Sequence, residues 1–133
     1  MKKNDIETRE DIFLLVTAFY AKIRKDQVIG HFFNDSIKDW DAHLETLTLF
    51  WESNLFLQTK YLGNPLEIHN QVDRKYNNTI TELHFGVWLN LWFKTIDELF
   101  VGDVAEKAKL RARKMSTFLY LNIFQSRNNK TDF

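Results

Sequence analysis

The sequence contains no cysteine, and that absence removes disulfides, thiolate metal sites, iron–sulfur clusters and thiol nucleophiles together. Stability has to come from packing, and the composition suits a reducing cytoplasm. Net charge is missing as well. Eighteen Lys and Arg stand against 18 Asp and Glu, so no broad field draws in nucleic acid or an anionic membrane surface, and a small or neutral partner is expected. No apolar run approaches the roughly 18 residues a membrane span requires. The N-terminus, Met1-Lys2-Lys3-Asn4-Asp5, leads into a charged helix start rather than an apolar signal segment. These features predict a soluble, cytoplasmic protein.

Several catalytic and metal-binding patterns are also lacking. A di-iron helical bundle needs Glu-x-x-His repeats, and neither His43 nor His69 has a glutamate three residues before it. Zinc is disfavoured because His31, His43, His69 and His84 form no His-x-x-x-His pair. No paired carboxylates share an apolar stripe, and the glycines, Gly30, Gly63, Gly86 and Gly102, are all isolated, so no glycine-rich phosphate loop is present.

What the chain does have is helical periodicity and an excess of rings. Its 133 residues predict one domain, 1–133, with loose ends at about 1–7 and 127–133. Aromatic residues make up 15 % of the sequence, more than a small helical core requires, which leaves two readings: an aromatic-rich core, or a pocket for a large flat ligand.

The first helix opens at Thr8, with Asp11 as its capping-box partner, and Ile12, Leu15, Val16, Phe19, Tyr20 and Ile23 fall on one stripe. Tyr20 therefore faces inward, where an unpaired hydroxyl costs about 1 to 3 kcal/mol. It is either bonded to a backbone carbonyl or part of a site. An apolar corner, Val28 to Phe33, precedes a second long helix expected from Ser36, with Asp39 at the matching cap position, to about Lys60. His43 lies within its apolar stripe of Trp40, Leu44, Leu47, Phe50 and Trp51, as a satisfied core histidine or as a ligand.

Then comes a tight turn, Tyr61-Leu62-Gly63-Asn64, feeding a very short helix. Asn64 is its cap, the single proline, Pro65, suits the first helical position, and Glu67 sits where a capping-box carboxylate belongs. Leu66 and His69 share a face, so the His69 ring is aimed where Leu66 and Ile68 bury themselves. Residues 70–80 are polar and aperiodic, and are expected to form a loop.

A third helix from about Thr79 to Thr81 carries Phe85, Trp88, Leu89, Trp92, Ile96, Leu99 and Phe100, stopping at Gly102. The Trp88 indole then needs an acceptor. The last helix, roughly 104 to 126, presents Ala105, Ala108, Ala112, Met115, Leu119 and Ile123 inward. No alternating run is long enough for a sheet, so the fold class is all-α.

Single polar residues thus sit on the inward faces of different helices: Tyr20, His43, His69 and Trp88. In that company the chain resembles the truncated haemoglobins, and of their three groups the third. The resemblance is carried by Phe19-Tyr20, by His43 with Phe50-Trp51 after it, and by Tyr61-x-Gly63-Asn64-Pro65 followed by His69. His84-Phe85-x-x-Trp88-Leu89, Thr95 to Phe100, Gly102, Ala105-Glu106 and Arg111-Ala112 extend it across about residues 10 to 120. The isolated glycines also suit the third group. The loop after His69 is slightly longer than the family pattern, and Val87 stands where a basic residue is common.

The resemblance implies a truncated globin, a 2-on-2 helical sandwich with a very short proximal helix. It implies haem b, iron protoporphyrin IX, with His69 as the iron ligand and Tyr20, His43 and Trp88 as distal donors. Phe19, Phe33, Leu47, Ile68 and Tyr61 would contact the haem, with Met115 or Phe118 adding to the wall and Lys60, Tyr61 or Arg74 reaching the propionates. The function it implies is reversible, tight binding of dioxygen and related diatomics, nitric oxide and carbon monoxide. The resemblance also implies a part in oxygen transport, although slow release argues against simple delivery. The competing reading is a haem redox enzyme, dioxygenating nitric oxide or reducing peroxide, with His43 as acid and base and an unidentified reductase as partner. The third is a cofactor-free helical binding module.

Overall fold

The computed structural model describes residues 3–56, 65–76 and 79–129, and the side chains of all of these except 65–68 and 128–129. Among the described residues there are six helices and no strand: α1 (Arg9–Lys25), α2 (Gly30–Ser36), α3 (Trp40–Leu55), α4 (Pro65–Lys75), α5 (Glu82–Leu99) and α6 (Asp103–Asn129). Helix α1 packs on α3 and α5, while α6 packs on α5 and α4. The core lies between these pairs.

Local signals account for most helix starts. Thr8 and Asp11 close the capping box of α1, with Thr8 Oγ1 accepting from Asp11 N at 3.1 Å and Asp11 Oδ2 accepting from Thr8 N at 3.1 Å. All six residues of the expected α1 stripe are buried. Helix α5 starts after Thr81, whose N–H donates to His84 Nδ1 at 2.9 Å.

Three boundaries differ from the sequence reading. The corner before α3 is itself a short helix, α2, and α3 starts at Trp40 because Asp39 is the cap, accepting from Ala42 N at 3.1 Å. It ends at Leu55 rather than near Lys60. Helix α4 begins at Pro65 as read, but residues 70–75, expected in the loop, continue it. Those polar residues are helical because their partners are distant: Asn70 donates to Asn122 and Asp73 binds Arg127.

Described residues near both ends make specific contacts. Ile6 is 1 % exposed, and Asp5 caps α6 from almost a hundred residues away, accepting from Val104 N at 2.9 Å and Ala105 N at 2.8 Å. Partial burial raises the Asp5 pKa, but these N–H groups outweigh it and hold the carboxyl below its ordinary value. Gly102 makes the approach possible, because its φ of +142° is unfavourable for other residues and a Cβ there would strike the Asp5 side chain. At the other end α6 continues to Asn129, and Arg127 joins Asp73 in a pair with side-chain exposures of 24 % and 2 %.

That pair yields a stability prediction. Arg127→Ala leaves a buried carboxylate without its partner and should cost about 3 kcal/mol. Urea unfolding of the two proteins measures it, and coincident midpoints would show that the pair adds nothing.

Helix α3 shows a rotation of its buried face. Thr48, Trp51, Glu52 and Leu55 are buried, whereas Trp40, His43, Leu44, Leu47 and Phe50 are half-buried. Two polar side chains can lie inside because both are satisfied: Thr48 Oγ1 donates to the Leu44 carbonyl at 2.8 Å, and Glu52 Oε1 accepts from Arg9 Nη1 at 3.2 Å. The half-buried edge of α3 packs against the core, as do Phe33, Phe85, Trp88, Leu89 and Met115.

Candidate functional site

Three of the polar residues singled out in the sequence meet on one side of the core. Tyr20 lies edge-on to His43 with ring centroids 5.6 Å apart, to Phe33 at 5.7 Å and to Phe19 at 4.9 Å. Phe19 lies edge-on to Trp88 at 5.2 Å and to Trp92 at 4.9 Å. With 0 % exposure, Phe19 is the backing on which Tyr20 and Trp88 rest.

The indole of Trp88 supplies the partner Tyr20 needs. Burial pushes the Tyr20 phenol well above its ordinary value of 10.0, and the hydrogen bond from Trp88 offsets part of that rise. An indole N–H can only donate, so any bond between the two uses the Tyr20 oxygen as acceptor and leaves the phenol proton to be given elsewhere. Stacking holds Trp88 in place, with Trp92 5.9 Å away and nearly parallel, and Trp92 stacked in turn on Trp51 at 4.7 Å.

His43 faces this group from α3. Its Nε2 is buried with no hydrogen-bond partner among the described residues, a condition that ordinarily demands an explanation. Burial, and then the charge of His69, hold the His43 ring below its ordinary value of 6.5. The ring is thus neutral at pH 7. Its midpoint, followed by the ring-proton shift in NMR, should fall below 6.5, and a midpoint at or above that value would contradict the burial argument.

His69 sits one turn into α4, half-buried, on a different helix from His43, whose ionisation it influences. Phe33 and Leu47 are half-buried at the border of the core, as a lining role requires. Tyr61 and Lys60 lie outside the described residues, as does the side chain of Ile68. Arg74 is exposed, and its Nε donates to the Asn70 carbonyl at 3.3 Å. Phe118 is 61 % exposed and belongs to no wall, which leaves half-buried Met115 on that helix.

Trp40 was not among the expected site residues. Its ring lies 5.8 Å from Tyr20 and 5.7 Å from His43, under the Arg24 guanidinium at 4.4 Å. The signal was its three-residue spacing from His43. Among the described residues no cluster of His, Asp and Glu could hold a bare metal ion, so chelation by carboxylates is not what this site offers. A phenol, an imidazole and an indole gathered against apolar rings, with a second imidazole on α4 electrostatically coupled to the first, fit a flat cofactor whose metal takes an imidazole. The orphaned His43 Nε2 fits it. No described helix is long and apolar enough to cross a membrane.

In fold, the chain is a truncated globin. Its likeness, in sequence and in structure, is to the third group of truncated haemoglobins. It is 26 % identical over 120 residues to Group 3 truncated hemoglobin ctb of Campylobacter jejuni, which covers 84 % of this chain and 91 % of that protein. The crystal structure of a group III truncated hemoglobin from Campylobacter jejuni superposes with a TM-score of 0.81 at 25 % identity, over 92 % of this chain and 95 % of that one. No family model matches the chain. The likeness supports a globin-type haem protein.

Proposed function

We propose that the chain binds haem b through His69 and holds dioxygen or a related diatomic gas, nitric oxide or carbon monoxide, tightly between Tyr20, Trp88 and His43. The observation that carries this reading is the buried Tyr20 phenol, set edge-on to His43 and beside the Trp88 indole, with a proton to give. When bound, haem would supply an iron able to take the His69 nitrogen and a diatomic gas.

The chain's own residues do the rest. A neutral imidazole on α4 offers the ligand nitrogen, and Phe33, Leu47 and the half-buried edge of α3 keep water away from the ligand side. Tyr20 donates to the electron-rich end of a bound gas. Dioxygen draws negative charge and carbon monoxide hardly does, so donors favour the former. Ile68 and Tyr61 would complete the contacts.

One observation favours a second reading. His43 is held neutral with an unpaired Nε2, and a neutral imidazole in reach of a peroxide can take a proton and return it. Peroxide reduction or nitric oxide dioxygenation would then follow, with a reductase restoring ferrous iron. The test is to load the protein with haemin, record the Soret band, and mix the oxygenated form with nitric oxide and with peroxide in a stopped-flow instrument. A slow oxygen off-rate without turnover supports the gas binder, and rapid turnover supports the enzyme. Absence of a Soret band would leave a cofactor-free helical module.

A further inference from the structure

Helix α4 is fastened to α6 at two heights. Asn70, next to His69, donates from Nδ2 to Asn122 Oδ1 at 2.8 Å. One turn beyond His69, the Asp73 carboxylate receives Arg127 on both oxygens, Nε to Oδ2 at 2.9 Å and Nη2 to Oδ1 at 2.6 Å. The same Oδ1 accepts from Ile80 N at 3.1 Å, and Arg127 Nη2 also donates to the Ile80 carbonyl at 2.7 Å. These bonds form a closed ring joining α4, the residue just before the cap of α5, and the last turns of α6.

We infer that the Asp73–Arg127 pair positions His69, fixing the rotation of α4 on α6 so that the imidazole meets the haem iron at a set angle. The inference rests on His69 being the iron ligand. His69 and Asp73 are four residues apart, so they lie on adjoining parts of one helix face, and any roll of α4 that turns one turns the other. A planar guanidinium on a planar carboxylate specifies direction as well as distance, whereas an apolar contact tolerates sliding. The 2 % exposure of Asp73 leaves no water to replace Arg127 in a rolled arrangement. Eleven residues are too few for a helix to hold its own orientation in solution. Outer partners of a ligating histidine set its orientation and basicity, and their loss typically changes affinity by roughly 10- to 100-fold.

The test uses the haem-loaded ferrous protein, reading the iron–imidazole stretching band by resonance Raman and the rate of haem loss to an acceptor globin. Arg127→Lys, which keeps the charge but loses the fork, should shift or broaden the band and speed haem loss roughly 10- to 100-fold. Asp73→Asn should do the same, and serves if the first variant folds poorly. Ile123→Val, a core trim on α6, is the control for destabilisation alone and should leave the band in place. In a His69→Gly background supplied with free imidazole, the ligand is detached from α4, and Arg127→Lys should no longer move the band. The inference is overturned if the band stays put in both clamp variants, if Ile123→Val shifts it equally, or if the shift persists with free imidazole. A band retained by His69→Gly without imidazole would instead refute the ligand assignment, and the clamp with it.

Discussion

His69→Ala should abolish stable haem retention. On the proposed assignment the change removes the nitrogen that α4 would offer to iron, so the effect should exceed the roughly 100-fold weakening that accompanies loss of an outer partner alone. The fold itself should survive, because His69 is half-buried and the contacts of α4 to α6 run through Asn70, Asp73 and Arg127 instead. Far-ultraviolet circular dichroism of the variant should therefore match the parent while the Soret band is lost during gel filtration. His43 is an alternative imidazole, electrostatically coupled to His69. If it took over as ligand, haem would stay but the spectrum would change, because α3 presents that ring from a different direction. Full occupancy with unaltered spectra would overturn the assignment of His69.

Capping is written within a few residues, and there the sequence was readable. Thr8 with Asp11, Thr81 before α5 and Pro65 at the start of α4 all act on their own first turns. The α1 stripe was equally legible because every residue on it is apolar apart from the Tyr20 hydroxyl. Legibility failed where a polar residue is satisfied from afar. Asp73 and Asn70 look like loop residues until Arg127 and Asn122 come within reach, and nothing near Asp5 announces that it caps a helix almost a hundred residues on. Glu52 entered the buried face of α3 for the same reason, reached by Arg9 from α1, whereas Thr48 is satisfied within its own helix by the Leu44 carbonyl.

In the candidate site, the inward placement of Tyr20 followed from spacing alone, and its partner Trp88 did not. Two helices had to be brought together first. Trp40 was passed over because a tryptophan near a helix start reads as packing, and its role as a ring against both Tyr20 and His43 exists only in three dimensions. The expected contacts of Tyr61 and of the Ile68 side chain fall outside the described residues.

Tyr20→Phe should speed oxygen dissociation by roughly 10- to 150-fold, the range that a hydrogen bond to a charged group of about 1.5 to 3 kcal/mol implies at 1.4 kcal/mol per decade. The ring stays, so its packing against Phe19, Phe33, Trp40 and His43 is kept and only the hydroxyl is removed. The bond Tyr20 would give to the gas is lost, and with it the interaction of the phenol oxygen with Trp88. The freed indole N–H would then be left without its acceptor and could turn to the gas, which makes the single change smaller than the sum of its parts and sets the lower end of the range. Carbon monoxide release should change far less, because that ligand gathers little charge for a donor to meet. Trp88→Phe should act mainly through Tyr20, so that its effect shrinks once Tyr20 is already Phe, and a double-mutant cycle on the oxygen off-rate measures the coupling. An unchanged off-rate in Tyr20→Phe would remove the phenol from the gas-binding set, and equal acceleration of both gases would mean that the hydroxyl held the pocket's shape rather than its charge.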